Sequence, residues 1–210
     1  MPTTSLPVRI GLYLVAITSV GFGVALMVSA HLGVAPNDVM NTGVAKALDT
    51  GVGTASWVTS GIAMMLAWAL GRRPRIATVL GGVIVGLSIN QFMKLLPEPH
   101  SMVPRILMLC LGLLVVWGAI TGVVATDVGA GPLELLMLAF IARGISISVA
   151  RWGIEMGLLA IGLVLGGAAG VGTAIFALAT GPVLAITLPW TSGKLGTHLT
   201  NPPDIVAAAS

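Results

Sequence analysis

Two acidic residues of this sequence each follow a proline at the same spacing. Asp38 lies two residues after Pro36, and Glu134 lies two residues after Pro132. Proline suits the first position of a helix, because its φ is already helical and its missing N–H would have no partner there. We therefore expect helices to begin at both prolines, with each acid in the first turn, where it interacts favourably with the helix dipole.

The starts of these two helices are the first candidate site. Unpaired backbone N–H groups at a helix N-terminus bind anions, and a carboxylate at membrane depth is a candidate proton or cation site. The alternative is that both acids only stabilise their own helices near the membrane surface. The candidate substrate-binding residues in these stretches are Pro36, Asn37, Asp38, Gly131, Pro132 and Glu134.

A second candidate pair is Arg151 and Glu155, which stand at positions i and i+4 of a predicted helix. At this spacing the two side chains can form an ion pair on one helix face. If Glu155 instead faces a cavity, it would act as a gate or contact a ligand. We include both residues in the candidate site.

The composition indicates an integral membrane protein. Hydrophobic residues make up 56% of the 210 residues and charged residues only 8%, against roughly 25% charged in an average soluble domain. The uncharged runs, each long enough to suggest a membrane span, are 10–30, 51–71, 76–93, 106–126 and 156–193. The last run is too long for one helix, and its glycine-rich stretch 166–172 is the expected break.

Several function classes are disfavoured. The sequence has no phosphate-binding loop, zinc-binding His-Glu-x-x-His helix or nucleophile elbow, so we expect no enzyme, no cofactor and no metal site. Cys110 is a single cysteine inside a predicted span, which excludes an intramolecular disulfide. The net charge of +3 comes from basic residues in loops, so we expect the lipid bilayer as the partner and no nucleic acid.

The predicted fold class is all-α, a polytopic helical membrane protein with two sequence-related repeats of four helical segments each. Gly33, Pro36 and Asp38 match Gly129, Pro132 and Glu134 at a displacement of 96 residues. Later matches are displaced by 95 residues, for example Trp57 with Trp152 and Thr78 with Thr173. We place a single transmembrane domain at 1–190, with repeat one at about 9–96 and repeat two at about 104–188, and a polar, disordered tail at 191–210.

Each repeat contains one short segment, which either spans the membrane or is re-entrant. The segment 36–48 reaches about 20 Å at ~1.5 Å per residue, short of the ~30 Å hydrocarbon core. Spanning segments would give parallel repeats and re-entrant segments inverted ones. Both arrangements place the same share of Lys and Arg on the cytoplasmic side, so the count of basic residues does not distinguish parallel from inverted repeats. The dense basic cluster 72–75 and the short length favour the re-entrant form.

Several motifs resemble the YczE-like (YczE/YyaS/YitT) family of bacterial integral membrane proteins. The motifs are Leu32-Gly33 with Pro36 and Asp38-Val39, Leu95-Leu96-Pro97-Glu98-Pro99, Gly129-Ala130-Gly131-Pro132, Val149-Ala150-Arg151 with Ile154-Glu155, Leu165-Gly166-Gly167 and Gly172-Thr173. The resemblance implies a multi-pass protein of the bacterial cytoplasmic (inner) membrane, supposed to be a transporter without an agreed substrate. Where the family tends to have an aromatic and an acid, this chain has Asn37 and Asn90.

The resulting functional hypothesis is a small-solute transporter or permease with a midplane site between the two repeats. The solute would be anionic or zwitterionic, held by the starts of the Pro36 and Pro132 helices. One alternative is a solute-binding membrane subunit that depends on separate ATPases. Another is an accessory or regulatory membrane protein that transports nothing. The sequence determines neither the substrate nor the oligomeric state.

Overall fold

The computed structural model describes residues 5–195, and their secondary structure is entirely helical. The helices are α1 (Leu6–Ala30), α2 (Pro36–Ala47), α3 (Val52–Ala69), α4 (Ile76–Leu95), α5 (Met102–Thr126), α6 (Pro132–Ile141), α7 (Ile147–Val164) and α8 (Val171–Leu195). Within these residues, five helices are long and apolar enough to cross a membrane, namely α1, α3, α4, α5 and the part of α8 over Val171–Thr191. The predicted all-α, polytopic fold class is thereby confirmed.

The short helices begin where the prolines predict. Pro36 and Pro132 each occupy the start of their helix, and Asp38 and Glu134 lie in the first turns. The helices before them also end alike, because His31 and Asp127 adopt left-handed conformations with φ of 54° and 49°. A left-handed residue ends a helix by turning the chain away from its axis. The two short helices are therefore entered through similar turns.

The long uncharged run near the C-terminus does break in its glycine-rich stretch, between the end of α7 at Val164 and the start of α8 at Val171. Helix α8 then continues to Leu195, past the predicted end of the membrane domain at residue 190. The Thr191 hydroxyl donates to the Thr187 carbonyl at 2.9 Å within this last stretch. The first five residues of the predicted tail are thus helical, and 196–210 lie outside the described residues.

Helix α1 packs against α4 and α5 and runs parallel to α4. Near its start, the Tyr13 hydroxyl donates to the Ala77 carbonyl at 3.0 Å. Further along, the rings of Phe22 and Phe92 lie 4.9 Å apart. Since the contacts move towards the C-terminus of both helices, from Tyr13 and Ala77 to Phe22 and Phe92, the two helices point the same way. Met27 of α1 and Ile89 of α4 both belong to the main buried cluster.

Helices α1 and α5 run in opposite directions. The Arg9 guanidinium at the start of α1 donates to the Thr126 carbonyl at the end of α5, at 2.7 Å. Later in α1, a Cβ added at Gly23 would lie 3.0 Å from the Gly112 carbonyl oxygen. This close approach of small residues is common between membrane helices.

The loop after α1 packs against the loop between α7 and α8. The Val34 N–H donates to the Ala168 carbonyl at 3.2 Å, and the Gly172 N–H donates to the Leu32 carbonyl at 2.8 Å. The Ala168 N–H also donates to the Thr42 hydroxyl at 2.9 Å. Non-helical backbone at membrane depth must find hydrogen-bond partners within the protein, and these bonds supply them.

Candidate functional site

A cavity of about 320 Å³ lies where the starts of α2 and α6 meet the middle of the helical bundle. Its size is at the lower end of the range typical of small-molecule sites. All eight residues predicted for the site line it, although they come from three helices and the turns before them: Pro36, Asn37, Asp38, Gly131, Pro132, Glu134, Arg151 and Glu155. The tertiary fold therefore brings together residues that are more than a hundred positions apart in the sequence.

Asp38 is the most buried charged residue of this cavity, with 6% of its surface exposed. Its Oδ1 accepts a hydrogen bond from the Asn41 amide at 2.9 Å. The Asn41 oxygen in turn accepts one from the Thr59 hydroxyl at 2.5 Å. This chain of hydrogen bonds ties the start of α2 to the middle of α3 and holds the Asp38 carboxylate in one orientation.

The other carboxylate oxygen of Asp38 has no such partner. Oδ2 makes no hydrogen bond with any residue in the described range 5–195. Every side-chain N or O atom in that range that is fully buried has a hydrogen-bond partner, so Oδ2 is not fully buried. Some surface of Oδ2 is therefore accessible. Since Asp38 lines the cavity, a ligand in the cavity can contact this oxygen.

Glu134 takes a different position at the start of α6. Its Oε2 accepts a hydrogen bond from the Gly131 N–H of its own helix start, as the glutamate of a capping box does. A carboxylate of the protein thus already accepts a hydrogen bond from one of the N–H groups at the start of α6. The start of α2 has no such side-chain cap.

Arg151 and Glu155 form the predicted ion pair on α7, with 3.1 Å between Arg151 Nε and Glu155 Oε1. Both still line the cavity, so pairing and a position at the cavity, which the sequence presented as alternatives, occur together. Arg151 is also close enough to Glu134 for the two charges to attract. The guanidinium thus attracts two carboxylates from different helices.

Sequence reasoning missed several polar residues that line the same cavity: Tyr13, Asn41, Ser56, Thr59 and Ser60. Asn41 had a detectable signal, because it lies three residues after Asp38 and so one helical turn further on. Tyr13 is the only tyrosine in the chain, but nothing in its neighbourhood distinguishes it. The serines and the threonine of α3 become site residues only through the packing of α3 against α2.

The remaining walls of the cavity are apolar and include Ile17, Val20, Val116, Ile154 and Phe176. A second cavity of about 380 Å³ lies beside it, between α3, α6 and α7, and its lining is almost wholly apolar. The two cavities share the lining residues Thr59, Leu133, Ile154 and Leu158. A ligand whose polar group binds Asp38 could therefore place an apolar part in the neighbouring apolar cavity.

Two further polar residues, Asp127 and Asn90, connect helices. Asp127 pairs with Arg9 at 3.4 Å at the end of α5. Asn90 accepts a hydrogen bond from the Gly53 N–H at 2.9 Å and donates to the Thr54 hydroxyl at 3.1 Å, which joins α4 to the start of α3. Across residues 5–195, no group of three or more metal-ligating side chains comes together.

Comparison with known proteins gives a consistent result. The family of unknown function DUF6198 matches residues 7–189. An uncharacterized protein of Haemophilus influenzae is 32% identical over 182 residues, which cover 85% of this chain and 83% of that protein. The uncharacterized membrane protein YczE of Bacillus subtilis is 27% identical over 180 residues, 84% of each chain. No solved structure matches.

These similarities confirm the resemblance to YczE that the motifs predicted. With bacterial relatives and several apolar spans, the chain is a multi-pass protein of the bacterial cytoplasmic membrane, in contact with the lipid bilayer. The relatives carry no stated activity, so a function has to be argued from the site itself.

Proposed function

We propose that this chain, which belongs to the DUF6198 family of unknown function, is a small-solute transporter whose binding site is the cavity at the starts of α2 and α6. The observation that carries the proposal is the convergence of all eight predicted site residues on one cavity inside a membrane protein. Cavities formed by interrupted helices near the middle of the membrane are typical of secondary transporters.

We further propose that the chain consists of two repeats, α1–α4 and α5–α8. The helix lengths support this division, with 25, 12, 18 and 20 residues in the first and 25, 10, 18 and 25 in the second. The contacts also occur in exchanged pairs, since α2 packs on α7 and α3 packs on α6. A two-fold axis relating the repeats would produce this exchange.

Individual residues follow the same exchange. Gly33 contacts Gly172 of the other repeat, and their counterparts Gly129 and Ala77 contact each other. In each case the turn before a short helix packs against the start of the last helix of the opposite repeat. The matching displacements of 96 and 95 residues support a common origin of the two halves.

Helix directions support inverted repeats with re-entrant short helices. If α2 crossed the membrane, α4 would be the fourth crossing and would run opposite to α1, whereas the two run parallel. Helices α5 and α8 are likewise parallel, since Trp117 bonds to Thr180 and Thr121 to Thr187. Because α1 and α5 are antiparallel, the two repeats would cross in opposite senses.

A release assay with proteoliposomes tests transport directly. The full chain is reconstituted into liposomes loaded with a bacterial metabolite extract, and the released compounds are identified by mass spectrometry. We expect a defined subset of compounds to leave faster than from protein-free liposomes. The double variant Asp38→Asn, Glu134→Gln should release this subset at the protein-free rate, because both substitutions remove cavity charge with little change in shape.

The other hypotheses predict different results in this assay. An accessory protein would release no compound above the protein-free rate, and that result would reject the proposed function. A subunit that depends on separate ATPases would retain solute until those subunits were added and would co-purify with them. Unchanged release by the double variant would remove both acids from the mechanism.

A further inference from the structure

The cavity contains more negative than positive side chains. Among residues 5–195, its charged lining consists of the three carboxylates Asp38, Glu134 and Glu155 and the guanidinium of Arg151. Since Arg151 is paired with Glu155, Asp38 and Glu134 have no ion pair of their own within residues 5–195. Charged groups at membrane depth are costly unless they are neutralised by a partner, so the cavity favours a positive group and disfavours an additional anion.

The α6 helix start gives the same indication. The Gly131 N–H is already bonded to Glu134, so a solute anion would compete with this carboxylate for the N–H and would be repelled by its charge. In contrast, Asp38 Oδ2 accepts no hydrogen bond from residues 5–195, and Asp38 is only 6% exposed and lines the cavity. A protonated amine donates hydrogen bonds and carries the complementary charge, and such charge-assisted bonds are stronger than neutral ones.

The surroundings of Asp38 also favour an apolar body on the ligand. The cavity is walled mainly by aliphatic side chains and Phe176, and it shares four lining residues with the apolar cavity between α3, α6 and α7. Apolar groups gain free energy when they leave water for such a site. A ligand with an amine at one end and an alkyl or aryl group at the other would match both features.

From this geometry we propose that the cavity binds amphiphilic amines, with the protonated amino group at Asp38 Oδ2 and the apolar body along the aliphatic walls. This inference rests on the proposed function and deepens it by giving the class of solute. A zwitterion would still fit if its carboxylate reached Arg151. A purely anionic solute, which the sequence hypothesis allowed, would not fit the cavity.

Binding of simple alkylammonium ions to the full chain tests this inference without any transport measurement. The protein is placed in nanodiscs of neutral phosphatidylcholine, and isothermal titration calorimetry measures butylammonium, hexylammonium, butyrate and hexanoate against empty nanodiscs. We expect both ammonium ions to bind and the carboxylates not to bind. Hexylammonium should bind about tenfold more tightly than butylammonium, because each buried methylene contributes roughly threefold to fourfold.

The variant Asp38→Asn should weaken ammonium binding about tenfold or more, while it still accepts the Asn41 hydrogen bond. The matched control is Asp49→Asn, at an exposed position in the turn after α2, where an asparagine tolerates the local φ of 49°. This control should bind as the unchanged protein does. Thermal unfolding followed by tryptophan fluorescence establishes that both variants are folded.

Three results would overturn the inference: tighter binding of a carboxylate than of its matching ammonium ion, no ammonium binding in this series, or equal binding by Asp38→Asn. Failure here is distinguishable from failure of the proposed function. Ammonium binding without release from proteoliposomes would leave the inference standing and reject transport. Release of anionic solutes without ammonium binding would reject the inference and support transport.

Discussion

At the scale of single residues, the Asp38 side chain is held by two hydrogen bonds in series. Asn41 and Thr59 are 1% and 7% exposed, so the hydrogen bonds that link them to Asp38 compete little with water. Buried polar groups of this kind cost free energy when one partner is removed. The orientation of the cavity carboxylate therefore depends on a threonine of a neighbouring helix.

Thr59→Val should lower the free energy of unfolding by roughly 1 kcal/mol, because it leaves the Asn41 oxygen buried without its hydroxyl donor. The measurement is thermal or denaturant unfolding of the purified protein in detergent. Thr50→Val, at an exposed position after α2, is the matched control and should change stability by less. Equal effects of the two substitutions would contradict a structural role for this hydrogen bond.

At the scale of helices, small residues set the distance between α2 and α7. A Cβ added at Gly162 would lie 2.6 Å from the Met40 nitrogen, and one added at Gly43 would lie 2.7 Å from the Gly162 carbonyl oxygen. Under the proposed repeats, the corresponding positions in the opposite helix pair are Ala67 and Ala139, both fully buried in one cluster. Close backbone contact thus positions each short helix so that its start reaches the cavity.

Gly162→Ala should lower the free energy of unfolding by about 1–3 kcal/mol, because the added methyl group forces α7 away from α2. Gly157→Ala provides the control on the same helix, since an added Cβ there meets no atom within 4 Å. We expect this control to leave stability unchanged or slightly raised, as alanine favours helix over glycine. Indistinguishable unfolding curves for the two variants would contradict the close crossing.

At the scale of the whole molecule, helix directions determine which loops face which side of the membrane. Under the proposed re-entrant arrangement, which the parallel directions of α1 and α4 support, α2 leaves the membrane on the side from which it entered. From the basic cluster of Arg72, Arg73 and Arg75 we then expect the loop after α3 to lie in the cytoplasm under the positive-inside rule. This arrangement puts the turn after α2 on the opposite side.

Labelling of single cysteines in intact cells tests this topology. On a Cys110→Ala background, we expect a cysteine at Thr50 to react with a membrane-impermeant maleimide from outside. Cysteines at Arg72 and Ser146 should react only after the cells are opened. All three positions are exposed in the structure. Labelling of Arg72→Cys from outside, with Thr50→Cys and Ser146→Cys protected, would show that the short helices span the membrane.

The sequence by itself was sufficient for the membrane class, the helix positions and the starts of the short helices. These features depend on local properties, namely the length of apolar runs, the fixed φ of Pro36 and Pro132, and glycine-rich breaks. The eight site residues could also be selected from the sequence, because charge is rare in this chain and the paired motifs repeat. The resemblance to the YczE-like family came from the same motifs.

Only the tertiary structure decided how these residues relate to one another. The direction of α4 relative to α1 depends on whether α2 turns back, and the count of basic residues was the same for both arrangements. The roles of Tyr13 and Thr59 depend on packing between helices that are distant in the sequence. Likewise, Glu134 accepts a hydrogen bond from the Gly131 N–H of its own helix start, and this bond depends on side-chain geometry.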